Sequence, residues 1–274
     1  RNGKEIFADG KFFPDLMVEE AGKFMTENKD KPFFIYFAMN MPHYPYQGEP
    51  QWLKRYDKLE YPRNLYAAFL STLDERIGKL LAQVDKLGLR ENTIIVYQSD
   101  HGHSTELRAH NGGGNAGPYR GAKFSMFEGG LRVPAMIRWP GRLPAGEVRD
   151  QAAHGCDWLP TVAELCNIKV EHDIDGRSLV PVIKSAKAPT PHKVIHWQTG
   201  TGDKSHWAVR QGDWKLLGNP QDTSDKAPLG PGDRLFLVNL AEDVSEMKNL
   251  AAQHPERVKE LQKLHDDWVK SVSK

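Results

Sequence analysis

A long helical stripe followed at once by a short apolar run is the feature that most constrains this chain. From Leu65 to Leu87, residues Ala68, Phe69, Leu73, Ile77, Leu80, Leu81, Val84 and Leu87 share one helix face, and Gly88 stands where a left-handed cap belongs. Thr93-Ile94-Ile95-Val96-Tyr97-Gln98 then reads as a strand buried on both faces, and it delivers Ser99-Asp100-His101-Gly102 at its end. A helix leading straight into a buried strand calls for a sheet covered by helices.

The flanking segments repeat the pattern. Leu16, Met17, Ala21, Phe24 and Met25 predict a helix from Pro14 to Asn28, and Phe33-Phe34-Ile35-Tyr36-Phe37-Ala38-Met39 predicts another buried strand, broken by the prolines around His43. Val133 to Trp139 predicts a third strand, ahead of a helix opening at Asp157 with Pro160 in its first turn. The expected fold class is α/β, a mostly parallel sheet sandwiched by helices. Ligands of such sheets sit outside the carboxyl ends of the strands, where His43 and Asp100 fall.

After about residue 190 the texture changes. His206 to Arg210, Trp214 to Leu217 and Leu235 to Asn239 predict short strands between Gly, Asp and Pro turns, and Pro255 opens a helix striped with Val258, Leu261, Leu264, Trp268 and Val269. A small C-terminal antiparallel sheet with a helix is expected there, so the expected division is 1–190 and 191–274.

Charge excludes two classes of partner. With 37 basic and 36 acidic residues and a formal net charge of +1, the chain has no electrostatic footprint for nucleic acid or an anionic membrane. The run from Phe33 to Met39 is too short to span a bilayer, and the opening Arg1-Asn2-Gly3-Lys4-Glu5 has no signal-peptide character. Cys156 and Cys166 read as buried helix residues pointing apart, which argues against a disulfide. The absence of an initiating Met suggests an incomplete chain.

Three loops carry side chains that can do chemistry. Asp100-His101-Gly102 sets a carboxylate beside an imidazole, a pair that can hold a hard divalent cation or merely satisfy its own turn. Lys123 lies in Arg120-Gly121-Ala122-Lys123-Phe124-Ser125-Met126-Phe127-Glu128-Gly129-Gly130, where an ammonium can meet an oxyanion or simply be solvated. His43, in Met41-Pro42-His43-Tyr44-Pro45, can donate to an ester oxygen or protonate a leaving group, and it also reads as a surface histidine.

Taken together these segments resemble the sulfatase family, within the alkaline-phosphatase-like superfamily. The resemblance runs from Pro32-Phe33-Phe34-Ile35-Tyr36 and Pro42-His43-Tyr44-Pro45, through Ser99-Asp100-His101-Gly102, to Arg120-Gly121 with Lys123 and Glu128-Gly129-Gly130-Leu131-Arg132-Val133-Pro134. It continues in Asp157-Trp158-Leu159-Pro160-Thr161, Arg210-Gln211-Gly212-Asp213-Trp214-Lys215-Leu216 and Leu237-Val238-Asn239-Leu240 before Asn249-Leu250, covering nearly the whole chain.

The resemblance implies hydrolysis of a sulfate ester, with a sulfated small molecule or glycan as substrate. It implies a divalent metal, usually Ca2+, held in part by Asp100 and His101. Lys123 and His43 match residues that contact the sulfate group, the histidine also assisting the leaving group. The family often has Asn at the position of His101, and imidazole also suits softer ions. His110, Asn111 and Asn115, on the glycine-rich loop between these motifs, either face the substrate or shape the loop. Trp197, His206 and Trp207 either offer a surface for a sugar ring or pack the smaller subdomain. Family habit implies a periplasmic or secreted enzyme.

The departure from the family is the nucleophile. Members attack with a formylglycine made from the Cys of a Cys-x-Pro-Ser-Arg motif and hold the metal with an Asp-Asp pair; neither motif occurs in these residues. Both are expected in a missing N-terminal half, leaving this piece inactive alone. Two other readings stay open at this point: a phosphodiester or phosphonate monoester hydrolase of the same superfamily, and a non-catalytic protein that binds sulfated glycans.

Overall fold

A computed structural model describes residues 1–273, which divide into two compact units: Arg1–Thr93 with Ser104–Gly114, and Ile94–His103 with Asn115 onward.

The first unit is helical. Helix α1 (Phe13–Asn28) packs against α3 (Arg63–Lys86), with the short α2 (Pro50–Arg55) beside it. Pro14 occupies the first turn of α1, where its missing N–H costs nothing. At the other end of α3, Gly88 adopts φ +72°, Gly88 N–H donates to Asp85 O (3.1 Å) and Leu89 N–H to Val84 O (3.0 Å). These two bonds close a Schellman motif, as the sequence predicts. The core joins Met41, Phe69 and Leu73 with Phe12, Met39, Tyr46 and Ile77. Arg76 is buried against it and is held by Asp15 (2.9 and 3.1 Å) and by Glu49.

The expected strand over Phe33–Met39 is corrected here. The run is extended, but no strand pairs with it among the described residues, and Phe34 and Tyr36 are 79% and 84% exposed. An apolar run becomes a strand only when a neighbour accepts its N–H and C=O groups, and none in this unit does.

The second unit opens on β1 (Ile95–Gln98), followed by the one-turn α4 (Glu128–Leu131) and β2 (Ala135–Arg138). The first and last of these pair antiparallel, Ile95 opposite Arg138 and Gln98 opposite Ala135. The sequence predicts a mostly parallel sheet; this pair is antiparallel, the chain returning on itself and pinned by Ser99 N–H to Pro134 O (3.2 Å) and Gly102 N–H to Gly130 O (3.0 Å).

Beyond β2 come α5 (Trp158–Leu165) and α6 (Val180–Lys184). The buried Asp157 ties this region together, its carboxylate accepting from His154 N–H (2.7 Å), Arg177 N–H (2.8 Å) and His192 Nε2 (2.7 Å). Both cysteines are free and exposed, Cys156 in the turn before α5 and Cys166 at its C-terminal cap, which corrects their reading as buried residues.

The unit closes with an antiparallel meander of β3 (Ile195–Thr199), β4 (His206–Gln211), β5 (Trp214–Gly218) and β6 (Leu235–Asn239), backed by α7 (Pro255–Val272). One face buries Ala208, Leu217, Phe236 and Val238 with Phe127. The other buries Trp207, Val209, Leu216 and Leu237 under Leu261 of α7. Strand β3 joins the three strands predicted from the sequence. No helix among the described residues is long and apolar enough to cross a membrane.

Candidate functional site

Strand β1 ends one residue before Ser99, so the Asp100–His101 loop is carried on a paired element. Asp100 Oδ1 accepts from His101 N–H (3.0 Å), and Asp100 Oδ2 lies 3.1 Å from His101 Nε2. His101 Nδ1 is 2.8 Å from the Gly102 carbonyl. The Gly102 carbonyl and the Asp100 carboxylate can both only accept, so each ring nitrogen of His101 faces an acceptor, Nε2 being the one beside the carboxylate. Both side chains are exposed. A carboxylate oxygen and an imidazole nitrogen so placed fit a divalent cation as two of its ligands. No group of three or more His, Cys, Asp or Glu side chains that could hold a metal converges among the described residues.

The lysine loop is bonded to this one. Lys123 N–H donates to His103 O (2.9 Å), next to the Gly102–Gly130 bond. The glycines are there because backbones touch: a Cβ on Gly102 would sit 2.0 Å from Gly129 O, and one on Gly129 would sit 2.1 Å from Gly121 O. Lys123 itself is half-buried, its ammonium 5.0 Å from the centre of the Phe124 ring. Phe124 is exposed and holds φ +73°, a conformation that bulky side chains rarely adopt.

Beneath these loops lies a buried charge cluster whose pairing the sequence does not reveal. Lys215 of β5 is fully buried, with its Nζ 2.8 Å from Glu128 Oε1 and 3.0 Å from Glu246 Oε1. Burial works to raise the Glu128 carboxyl, but Lys215, Arg210 and Arg132 outweigh it and hold the group below its ordinary value. Glu246 goes the other way, raised by burial and by the nearby Glu128 despite Lys215. Burial would lower the Lys215 ammonium, and the two carboxylates overcome that and raise it. The Lys in Asp213-Trp214-Lys215 is therefore a core ion rather than a substrate ligand.

His43 and His110 belong to the first unit, while Asp100, His101 and Lys123 belong to the second. His43 is exposed, and its Nδ1 lies 2.9 Å from the Tyr44 carbonyl. The Tyr44 carbonyl accepts, so Nδ1 carries a proton, and Nε2 can donate only when the ring is doubly protonated. His110 has φ +55°, its Nδ1 meets the Tyr61 hydroxyl at 2.5 Å, and its ring lies 5.4 Å from that of Tyr61 and 5.9 Å from that of Tyr46. Tyr61 is a neighbour that the sequence does not point to, because 49 residues separate the pair.

The other candidates make local contacts: Asn111 takes φ +62°, and Asn115 Oδ1 accepts from Gly117 N–H (2.6 Å). Trp207 is buried and stacked on His265, Trp197 packs on the meander core, and His206 Nδ1–H donates to Asn219 O (2.6 Å).

Comparison with known proteins gives a consistent result. A family profile described as Sulfatase matches residues 4–168, and one described as N-sulphoglucosamine sulphohydrolase, C-terminal, matches residues 119–273. The chain is similar to steryl-sulfatase of Rattus norvegicus, 33% identical over 192 residues that make up 68% of this chain and 32% of the relative. It is similar to arylsulfatase J of Mus musculus, 30% identical over 274 aligned positions, 86% of this chain and 45% of the relative. Among solved structures, the crystal structure of Ps i-CgsB superposes with a TM-score of 0.82 at 29% identity, covering 97% of this chain and 56% of that one, and equally in its complex with k-i-k-neocarrahexaose. The chain thus spans about a third to a half of the length of these curated relatives.

Proposed function

The chain belongs to the sulfatase family and shares the α/β fold of its solved members, and from that premise we propose that it forms part of an enzyme that hydrolyses sulfate esters. The observation that supports the reading is the backbone bonding of the Lys123 loop to the loop of Asp100 and His101, which roots both on one framework. The family implies a divalent metal and a formylglycine, and the metal, when bound, supplies positive charge to the ester. A divalent metal is proposed at Asp100 and His101: calcium from family habit and the Asp100 oxygen, with the His101 imidazole a donor that also suits softer ions.

Lys123 binds the anionic ester oxygens, and His43, through Nε2, hydrogen-bonds the bridging oxygen and protonates the leaving group. His110 contacts the rest of the substrate. A sulfated carbohydrate is the proposed substrate class, supported by the neocarrahexaose complex of the similar Ps i-CgsB. Formylglycine is not encoded in these residues, and the complementary part of the fold is proposed to supply it, so the 274-residue chain alone does not turn over. The meander and α7, from residue 191 on, form the proposed smaller subdomain, and export to the periplasm or medium is proposed.

Sulfate release from an aryl sulfate and from a sulfated oligosaccharide by the full protein, set against cleavage of a phosphodiester, tests the reading. Sulfate release is expected to dominate, and faster phosphodiester cleavage overturns it.

A further inference from the structure

The connection between β5 and β6 is long, and its first part turns back to the lysine loop. Thr223 Oγ1 accepts from Ala122 N–H (3.0 Å), the residue directly before Lys123, and Ser224 Oγ accepts from Gly121 N–H (2.9 Å). On the other side of Lys123, Ser125 Oγ–H donates to Gln221 O (2.7 Å). Arg120 and Asp222, whose side chains are 1% and 4% exposed, pair at 2.8 Å. Arg120 also donates to Ala227 O (2.9 Å) and Glu246 O (2.9 Å), with its guanidinium 4.2 Å from the Phe127 ring centre.

Asp222 braces its own loop at the same time. Its Oδ1 accepts from Ser224 N–H (2.9 Å) and Ser224 Oγ–H (2.7 Å), and its Oδ2 from Ala227 N–H (3.2 Å). Burial would raise this carboxyl, but the Ser224 hydroxyl, Arg120 and the backbone N–H groups hold it below its ordinary value.

We propose that the segment Gln221–Ala227 is the positioning element of Lys123, with Asp222 and Thr223 as its positioning residues. The inference rests on the reading of Lys123 as the sulfate-binding cation. A lysine ammonium is a point charge on a flexible stem, so its place is set by where its backbone is rooted. The left-handed Phe124, next in the chain, costs energy and persists only where its surroundings over-determine it. Residues 221–224 supply that determination from both sides of Lys123, about a hundred positions further along the chain.

The test is a double-mutant cycle on kcat/KM for an aryl sulfate, made in the full protein with Thr223→Val, Asp222→Asn and Lys123→Ala. Misplacing the ammonium by a fraction of its reach is expected to lower kcat/KM about tenfold or more in each positioning variant. In the Lys123→Ala background, where there is no ammonium left to misplace, the same substitutions are expected to cost nothing further. Equal losses in both backgrounds, or no loss in either positioning variant, overturn the proposal. If Asp222→Asn does not fold, Thr223→Val, which removes one hydroxyl, decides alone. Full activity in Lys123→Ala overturns the functional reading instead, so the two failures are distinguishable.

Discussion

Lys215 Nζ lies 2.8 Å from Glu128 Oε1 with both side chains shut away from solvent, and Glu246 completes the cluster at 3.0 Å. Two carboxylates share this one ammonium, with Arg210 and Arg132 each also 3.9 Å from Glu128 Oε2. Replacing the ammonium by Lys215→Met takes the close cation from both buried carboxylates, a loss of about 3–5 kcal/mol for a broken buried pair. Urea unfolding of the full protein is expected to show that loss or an insoluble product, and an unchanged midpoint would falsify the reading of Lys215 as a core ion.

Gly102 is expected to tolerate no side chain. A Cβ there would meet Gly129 O at 2.0 Å, and neither backbone has a flexible end that can move away. Gly102→Ala is expected to cost about 1–3 kcal/mol by overpacking and to displace the Asp100–His101 loop. A melting temperature and a chelator response equal to those of the parent protein would rule this out.

His43→Gln removes a proton donor at Nε2. Such loss costs about a hundredfold to ten-thousandfold where the leaving group needs its proton, so kcat on a sugar sulfate is expected to collapse. An aryl sulfate, whose phenolate leaves readily, is expected to suffer much less. Equal losses on both substrates would remove His43 from the role of general acid.

The sheet-to-helix packing of the meander titrates. His265 stacks on Trp207 with ring centres 4.1 Å apart, and His196 on Trp268 at 5.0 Å. Burial, reinforced by the neighbouring His265, pushes His196 down to about 4. Burial also lowers His265, although Asp266 works against it. An unfolded histidine titrates near 6.5, so as pH falls from there toward 4 the unfolded chain takes up protons that the folded one refuses. Stability contributed by the pair is therefore full above pH 6.5 and is lost on acidification. Urea midpoints between pH 7.5 and 4.5, roughly that window, are expected to fall less steeply for His196→Phe; superimposable profiles would sink the idea.

How much of this was legible in the sequence depends on distance along the chain. The α3 stripe and its Gly88 cap follow from local periodicity and one backbone preference, and the structure reproduces both. The Phe33–Met39 run has the composition of a strand, yet pairing depends on a neighbour that composition does not specify. Strand β3 hides because Ile195-His196-Trp197-Gln198-Thr199 mixes polar and apolar residues between loops. The site motifs are visible as motifs, and the roles of their residues stay proposals. What supports them, Glu246 under Glu128 and Thr223 against Ala122, lies about a hundred residues away with no local signal.

The bonds from Lys123 to His103 and from Gly102 to Gly130 also bear on how such an enzyme can be retargeted. They tie the Asp100–His101 loop, the proposed metal ligands, to the Lys123 loop, the proposed anion-binding cation, so that neither loop can be re-spaced without the other. Selection for a new substrate therefore has its freedom in loops outside residues 99–103 and 120–134, and a library that randomises those two stretches would spend its diversity on inactive clones.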